Sequence, residues 1–188
     1  MIRESVTALL ACLVSFVLCA VAYPAAVWGL AQLAFHDQAQ GSLIYDRDRT
    51  VIGSELIAQP FVSPRYFQPR PSAVDYKADA AGGSNLGTKN PDLHKKIVER
   101  VNALEATPKR PVPVDLVTAS GSGLDPDISP EAAEYQVGRV AAARQIPEAQ
   151  VRELLARAIE HSGAIIGAPP RVNVLNLNRA LDGAHTSE

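Results

Sequence analysis

From Ser5 to Phe35 the chain carries no charged side chain, whereas charges are scattered through everything that follows. Roughly 30 residues rising 1.5 Å each reach ~45 Å, more than the ~30 Å hydrocarbon core of a bilayer. A helix over this stretch therefore spans a membrane with residues left over for a juxtamembrane turn. The rest of the 188-residue chain is long enough for one hydrophobic core and too short for two comfortable domains. The expected organisation is an N-terminal transmembrane anchor over residues 1–35 and one soluble domain over 36–188.

A cleaved secretory signal is the competing reading, since Ala20-Val21-Ala22 has the small-x-small pattern and Arg3 a positive start. Against it, the apolar run continues through Val27, Trp28, Leu30, Leu33 and Phe35, which a mature soluble protein would have to hide, and Pro24 sits close behind the cut. A retained anchor is the favoured expectation. Too little apolar sequence precedes Cys12 for a lipoprotein signal. Cys12 and Cys19 lie seven residues apart on one helix, ~10.5 Å along its axis, beyond the ~7 Å that a disulfide bridges. The soluble part holds no cysteine. A net charge of −2 without a clustered Lys/Arg face excludes an obvious nucleic-acid binder. Arg3 before the helix and Arg47 and Arg49 after it leave a slight lean toward an inside N-terminus and an external domain.

Beyond the anchor, Gly41–Tyr45 and Val51–Ile57 read as short strands around the polar turn Asp46-Arg47-Asp48-Arg49. From Gln59 to Asn90, Pro60, Pro64, Pro69 and Pro71 forbid a long helix. Such irregular segments are usually functional or pinned by a partner. Three helices follow from one device, a cap, a first-turn proline and an acid: Asn90-Pro91-Asp92, Ser129-Pro130-Glu131 and Pro147-Glu148. Their apolar faces are Leu93, Ile97, Val101 and Leu104; Ala133, Val137, Val140 and Ala141; and Val151, Leu154, Leu155, Ala158 and Ile159. Val114–Ala119 and Arg171–Leu177 read as further strands. The expected class is α+β, with a small sheet and about three helices in the soluble domain.

Two glycine-rich stretches carry the only local motifs of interest. Gly82-Gly83-Ser84-Asn85-Leu86-Gly87 loosely matches a dinucleotide fingerprint but lacks the strand that must precede one. Ala119-Ser120-Gly121-Ser122-Gly123-Leu124-Asp125-Pro126 is a better placed strand–loop–helix, whose backbone N–H groups and following helix start suit an anion. It has no Gly-Lys-Ser/Thr to grip phosphates or magnesium, and a plain structural turn is the competing reading for both stretches. Gln136, on the next helix, is placed to donate to a ligand of the Ser120–Gly123 loop, or to serve as a solvated or interface polar residue. His36, His94, His161 and His185 are too dispersed for a metal site, and there is no nucleophile elbow. Asp125 and Asp127 read as loop capping rather than a catalytic dyad. Arg65-Tyr66-Phe67-Gln68-Pro69-Arg70-Pro71 has interface-like chemistry, with a loop pinned to its own domain as the equal alternative. The anchor holds no charged side chain between Ser5 and Phe35, so it forms no ion path by itself.

Ordered blocks along nearly the whole chain resemble one family. They are Tyr23-Pro24, Gly41–Ile44, Gly53–Gln59, Tyr66–Ala73, Gly82–Gly87, Asp115–Pro126, Arg139–Ala141 and Val172–Leu175. In order and number they are similar to the C subunit of the bacterial Kdp-type potassium-transporting P-type ATPase. The resemblance implies a non-catalytic, single-pass subunit of the bacterial inner membrane with its soluble domain on the periplasmic side. It implies a channel-like potassium-translocating subunit, a P-type ATPase subunit and a small single-helix subunit as partners. It also implies a role in stabilising the complex and in raising the ATPase subunit's affinity for ATP. No tightly bound cofactor is expected. Any ATP contact, shared with the ATPase subunit, is expected at Ser120, Gly121, Ser122, Gly123 and Gln136. The rival readings are a stand-alone periplasmic or membrane-tethered binding module, and a tethered enzyme using the Asp125–Asp127 loop.

Overall fold

The structure is a computed structural model and describes residues 2–46, 48–104, 106, 107, 110–161 and 167–185. Its contacts divide it into two compact units, one running to Leu43 and one from Ile44 onward.

The first unit is dominated by a 33-residue helical run, Ile2–Ala34, long and apolar enough to cross a membrane and with none of its residues buried. It comprises α1 (Ile2–Phe16), a π-helical turn (Val17–Ala22) and α2 (Tyr23–Ala34). The widened turn has a local cause. Pro24 has no N–H to give and its ring crowds the carbonyl four residues back, so the ladder must re-register ahead of it. The Tyr23 N–H accordingly reaches five residues back to the Leu18 carbonyl. A single further turn, α3 (His36–Ala39), follows Phe35. Cys12 and Cys19 are both free.

The second unit opens with the expected hairpin, β1 (Leu43–Tyr45) and β2 (Val51–Ser54), closed by Asp46 N–H donating to Thr50 O at 2.9 Å. The chain from residue 55 to 90 has no regular element. The helices α4 (Pro91–Ala103), α5 (Pro130–Arg144) and α6 (Glu148–Ala158) then start where their caps predict. Asn90 accepts from Asp92 N–H and Ser129 from Ala132 N–H, with proline in each first turn. Gln145 ends α5 in the left-handed region, at φ +58°, and Pro147 opens α6.

Two expected strands are otherwise. Val114–Leu116 is a 3₁₀ turn, because Pro111 and Pro113 remove the donors that a ladder needs and Val117 N–H closes back on Val114 O. Arg171–Leu177 is a strand only to Asn173, giving β5 (Arg171–Asn173), and α7 (Val174–His185) starts at once. The Asn173 side chain accepts from Asn176 N–H at 3.1 Å, a cap inside a run whose apolar alternation reads as β. β5 lies between β3 (Asp127–Ile128) and β4 (Ile159–Glu160), antiparallel to both, so Val172 faces Ile128 on one side and Ile159 on the other. Helices α5, α6 and α7 all touch β5, and α6 touches the other two helices. Between them lies the core: Val137, Val140, Val151, Leu155, Val172, Val174, Leu177 and Leu181, joined by Phe67 from the irregular segment.

Candidate functional site

Phe67 is fully buried although no regular element carries it. A buried backbone needs partners for its N–H and C=O, and two carboxamides supply them. Asn178 on α7 accepts from Phe67 N–H at 2.8 Å and donates to Phe67 O at 2.9 Å. Gln136 on α5 does the same for the next residue, accepting from Gln68 N–H at 2.8 Å and donating to Gln68 O at 3.1 Å. Each amide matches a peptide group as a neighbouring strand would, so this stretch is held like a strand without a sheet.

Two arginines extend the clamp. Arg139 donates to Pro64 O, Tyr66 O and Gln136 Oε1 at 2.7, 3.0 and 2.7 Å. Arg144, whose side chain is wholly buried, donates to Arg65 O at 2.7 Å and to Asp182 at 2.8 Å, and lies over the Tyr66 ring at 5.0 Å. Tyr66 in turn donates to Asp182 at 3.0 Å. Burial lowers the Arg139 pKa, while Tyr66 is raised first by burial and then by the Asp182 hydrogen bond and charge. The Arg65–Pro71 cluster is thus pinned to its own domain over Arg65–Gln68. Arg70 continues the pattern, reaching Asp125 and Thr118 at 3.3 Å each.

The two glycine-rich stretches pack on each other. Gly82 N–H donates to Ser122 O at 2.7 Å. A Cβ on Gly83 would stand 2.9 Å from Gly121 O, and one on Gly123 would stand 2.7 Å from Gly82 O and 2.6 Å from Val74. Gly123 also has φ +71°. These glycines are where two backbones meet too closely for a side chain. Ser120 is buried; its N–H donates to Pro71 O, and its hydroxyl accepts from Gly123 N–H at 3.0 Å and Asp125 N–H at 3.4 Å. Ser122 Oγ accepts from Leu124 N–H at 3.1 Å and lies 3.1 Å from Ser120 Oγ.

Of the five candidate residues, Ser120, Gly121, Ser122 and Gly123 form one tight loop against Pro71 and Gly82–Gly83, while Gln136 faces Gln68 and Arg139. No described hydrogen bond joins Gln136 to the loop. Gln136 instead lines a groove of about 390 Å³ with Phe61, Gln68, Tyr76, Arg100 and Leu104. A neighbouring cavity of about 350 Å³ has Gly83, Ser84, Ala119, Asp75, Lys96 and Arg100 on its walls. Tyr76 donates to Arg70 O at 2.9 Å, and burial raises its pKa.

The two aspartates of the loop also have partners. Asp125 accepts from Arg70 and from Asp127 N–H, and Asp127 lies 3.4 Å from Arg171. Burial raises the Asp127 pKa; Arg171 opposes the rise, and Asp125 and Glu160 add to it. Among the described residues no three His, Cys, Asp or Glu side chains are grouped to hold a metal.

Asn178, Arg139 and Arg144 do the most to order this region; Arg139 appears in the sequence only within the block Arg139–Ala141, and Asn178 and Arg144 do not stand out. The only signal is polar residues on a buried helix face: Gln136 and Arg139 flank Val137 and Val140, and Arg144 follows Val140 by one turn.

The chain matches the family described as "KdpC: K+-transporting ATPase, c chain" over residues 5–183. It is similar to proteins named potassium-transporting ATPase KdpC subunit in several bacteria. It is 54% identical to that of Sorangium cellulosum, over 87% of this chain and 88% of that protein. It is 50% identical to that of Geobacter metallireducens, over 93% and 95%, and 47% identical to that of Bradyrhizobium diazoefficiens, over 98% of each. The match spans most of the chain, whose described residues include an α+β part and a helix long and apolar enough to cross a membrane, and this chain belongs to the KdpC family, the c chain of K+-transporting ATPases.

Proposed function

We infer that this protein is a non-catalytic subunit that braces a potassium-transporting P-type ATPase in the bacterial inner membrane. Its partners are a channel-like potassium-translocating subunit, the ATP-hydrolysing subunit and a small single-helix subunit. Its soluble domain lies on the periplasmic side. The observation that carries this reading is how the polar residues of the domain are used. The hydroxyls of Ser120 and Ser122, the amides of Gln136 and Asn178 and the guanidinium groups of Arg139 and Arg144 order the chain's own backbone. That is the chemistry of a rigid body that presents a surface, not of a site that grips a substrate.

The rise in ATP affinity belongs, in this reading, to the assembly and travels through contacts with the ATPase subunit. Nucleotide bound directly at Ser120–Gly123 and Gln136 would have to compete with the hydrogen bonds already made there. The test is purification of the tagged full-length protein in mild detergent from cells starved of potassium. Co-purification of the other subunits, with potassium-stimulated ATP hydrolysis whose KM for ATP rises when this chain is omitted, supports the reading. Repeated recovery of this chain alone, with its anchor intact, overturns it.

A further inference from the structure

The β1–β2 hairpin and the turn after it expose five large apolar side chains: Leu43 (39%), Tyr45 (52%), Val51 (50%), Ile52 (38%) and Leu56 (59%). Leu43, Tyr45 and Val51 share the face opposite buried Ile44, and Ile52, next to Val51, takes the other. Ile44 and Ser54 of the same strands are buried, so the hairpin is already fixed on its own domain through other residues. A two-stranded ribbon with open edges and apolar side chains in water invites association, and proteins ordinarily blunt such edges with charge. Here no charged residue lies within β1 or β2; charge appears only in the turn and at Glu55.

What covers this surface follows from its tether. Only ten residues, 35–44, separate Ala34 from Tyr45, a reach of at most about 35 Å even if fully extended. A 33-residue helix is about 50 Å long, close to the ~40–45 Å of a bilayer with its headgroups, and modest tilt brings its ends to the interface. Trp28 and Phe35, both exposed, are the amphipathic and aromatic residues expected at that level. A tyrosine beside aliphatic residues is equally suited to headgroup depth, where the ring is buried and its hydroxyl stays wet.

We propose that Leu43, Tyr45 and Val51, with Leu56 of the following turn, seat the soluble domain on the lipid headgroup layer, a second and shallow membrane contact. The proposal rests on the 33-residue helix crossing the bilayer. Trp28 is the only tryptophan in the chain, so each premise can be read separately by fluorescence in vesicles of brominated phosphatidylcholine and phosphatidylglycerol. The native full chain reports the anchor through Trp28. Trp28→Phe combined with Tyr45→Trp reports the hairpin, and Trp28→Phe with Val62→Trp reports an exposed control position.

Bromolipid should quench Trp28 and the tryptophan at 45, with a blue shift at 45, and leave the one at 62 unchanged. Quenching at 28 without quenching at 45 overturns the lipid seat while sparing the anchor. Loss of quenching at 28 removes the premise and the proposal together. An emission at 45 that shifts only when the other subunits are present makes this surface a protein interface and also overturns the proposal. As a second readout, Val51→Ser/Leu56→Ser should weaken quenching at 45 with the thermal midpoint of the domain unchanged.

Discussion

Asn178 encloses the peptide unit of Phe67 from 111 positions away, accepting from its N–H at 2.8 Å and donating to its C=O at 2.9 Å. The side chain, like Phe67, is fully buried, so no water replaces it. Asn178→Ala should leave two buried backbone groups unpaired and cost about 2–4 kcal/mol, read as a fall in urea midpoint of the detergent-solubilised chain. Leu at the same position should be no better, since it fills space without bonding.

Gln136 performs the same service one residue along, and the two clamps share a rigid segment. Once one is lost, the segment loosens and the other has less to hold. Gln136→Ala with Asn178→Ala should therefore destabilise by less than the sum of the single changes, by about 0.5 kcal/mol or more. Strict additivity in a double-mutant cycle would show that Phe67 and Gln68 are held independently.

Arg144 is wholly buried while its partner Asp182 is half exposed. The asymmetry predicts the outcome at the exposed end. Asp182→Asn should destabilise far more than an ordinary surface change, by about 2–4 kcal/mol, because it strands a buried guanidinium. Arg144→Lys should be comparable, since an ammonium cannot reach Arg65 O and Asp182 in one plane. Thermal midpoints that move no further than for Arg157→Lys, an exposed control, would contradict this.

The glycines separate into two groups. Gly123→Ala meets both a positive φ and two close atoms, and Gly83→Ala meets the Gly121 carbonyl. Each should cost more than about 1 kcal/mol. Gly87 and Gly121 have open space and no positive φ, so alanine there should be neutral or slightly stabilising. Equal losses in urea midpoint at Gly121 and Gly123 would contradict the steric reading of Gly123.

Asp127 titrates with a definite sign. Burial raises its pKa, so between the ordinary aspartate value and the raised one the folded protein keeps a proton that the unfolded chain has lost. Stability contributed by this group should fall as pH rises from the ordinary aspartate value through the raised one and level off above. The stability of the native chain minus that of Asp127→Asn, followed by urea titration, should decline over that window; a rise would mean that Arg171 outweighs burial.

Much of the architecture was legible because local chemistry decides it. The helix long and apolar enough to cross a membrane follows from an uncharged run, and α4, α5 and α6 follow from Asn90, Ser129 and the prolines beside them. Helix α7 was not legible, because Val172, Val174, Leu175 and Leu177 alternate like a strand and the cap that redirects them is a lone Asn173. The strand expected at 114–119 fails for the opposite reason: its β-branched residues favour a strand, and Pro111 and Pro113 decide against one. The loop Ser120–Gly123 was seen as a unit, but its packing against Gly82–Gly83 depends on residues some 40 positions away. The clamps of Asn178, Gln136, Arg139 and Arg144 join positions 68 to 111 residues apart, beyond any spacing rule.

The strand order β3–β5–β4 places the last strand to be synthesised at the centre of its sheet. Neither β3 nor β4 has a partner until Val172 arrives, and Phe67 waits as long for α7. The second unit therefore cannot close until residues 171–178 have been made, and the stretch from Phe67 onward is held open until then. A stop ahead of Arg171 would leave β3 and β4 unpaired and Phe67 without Asn178, a product for proteolytic clearance rather than a weakened domain.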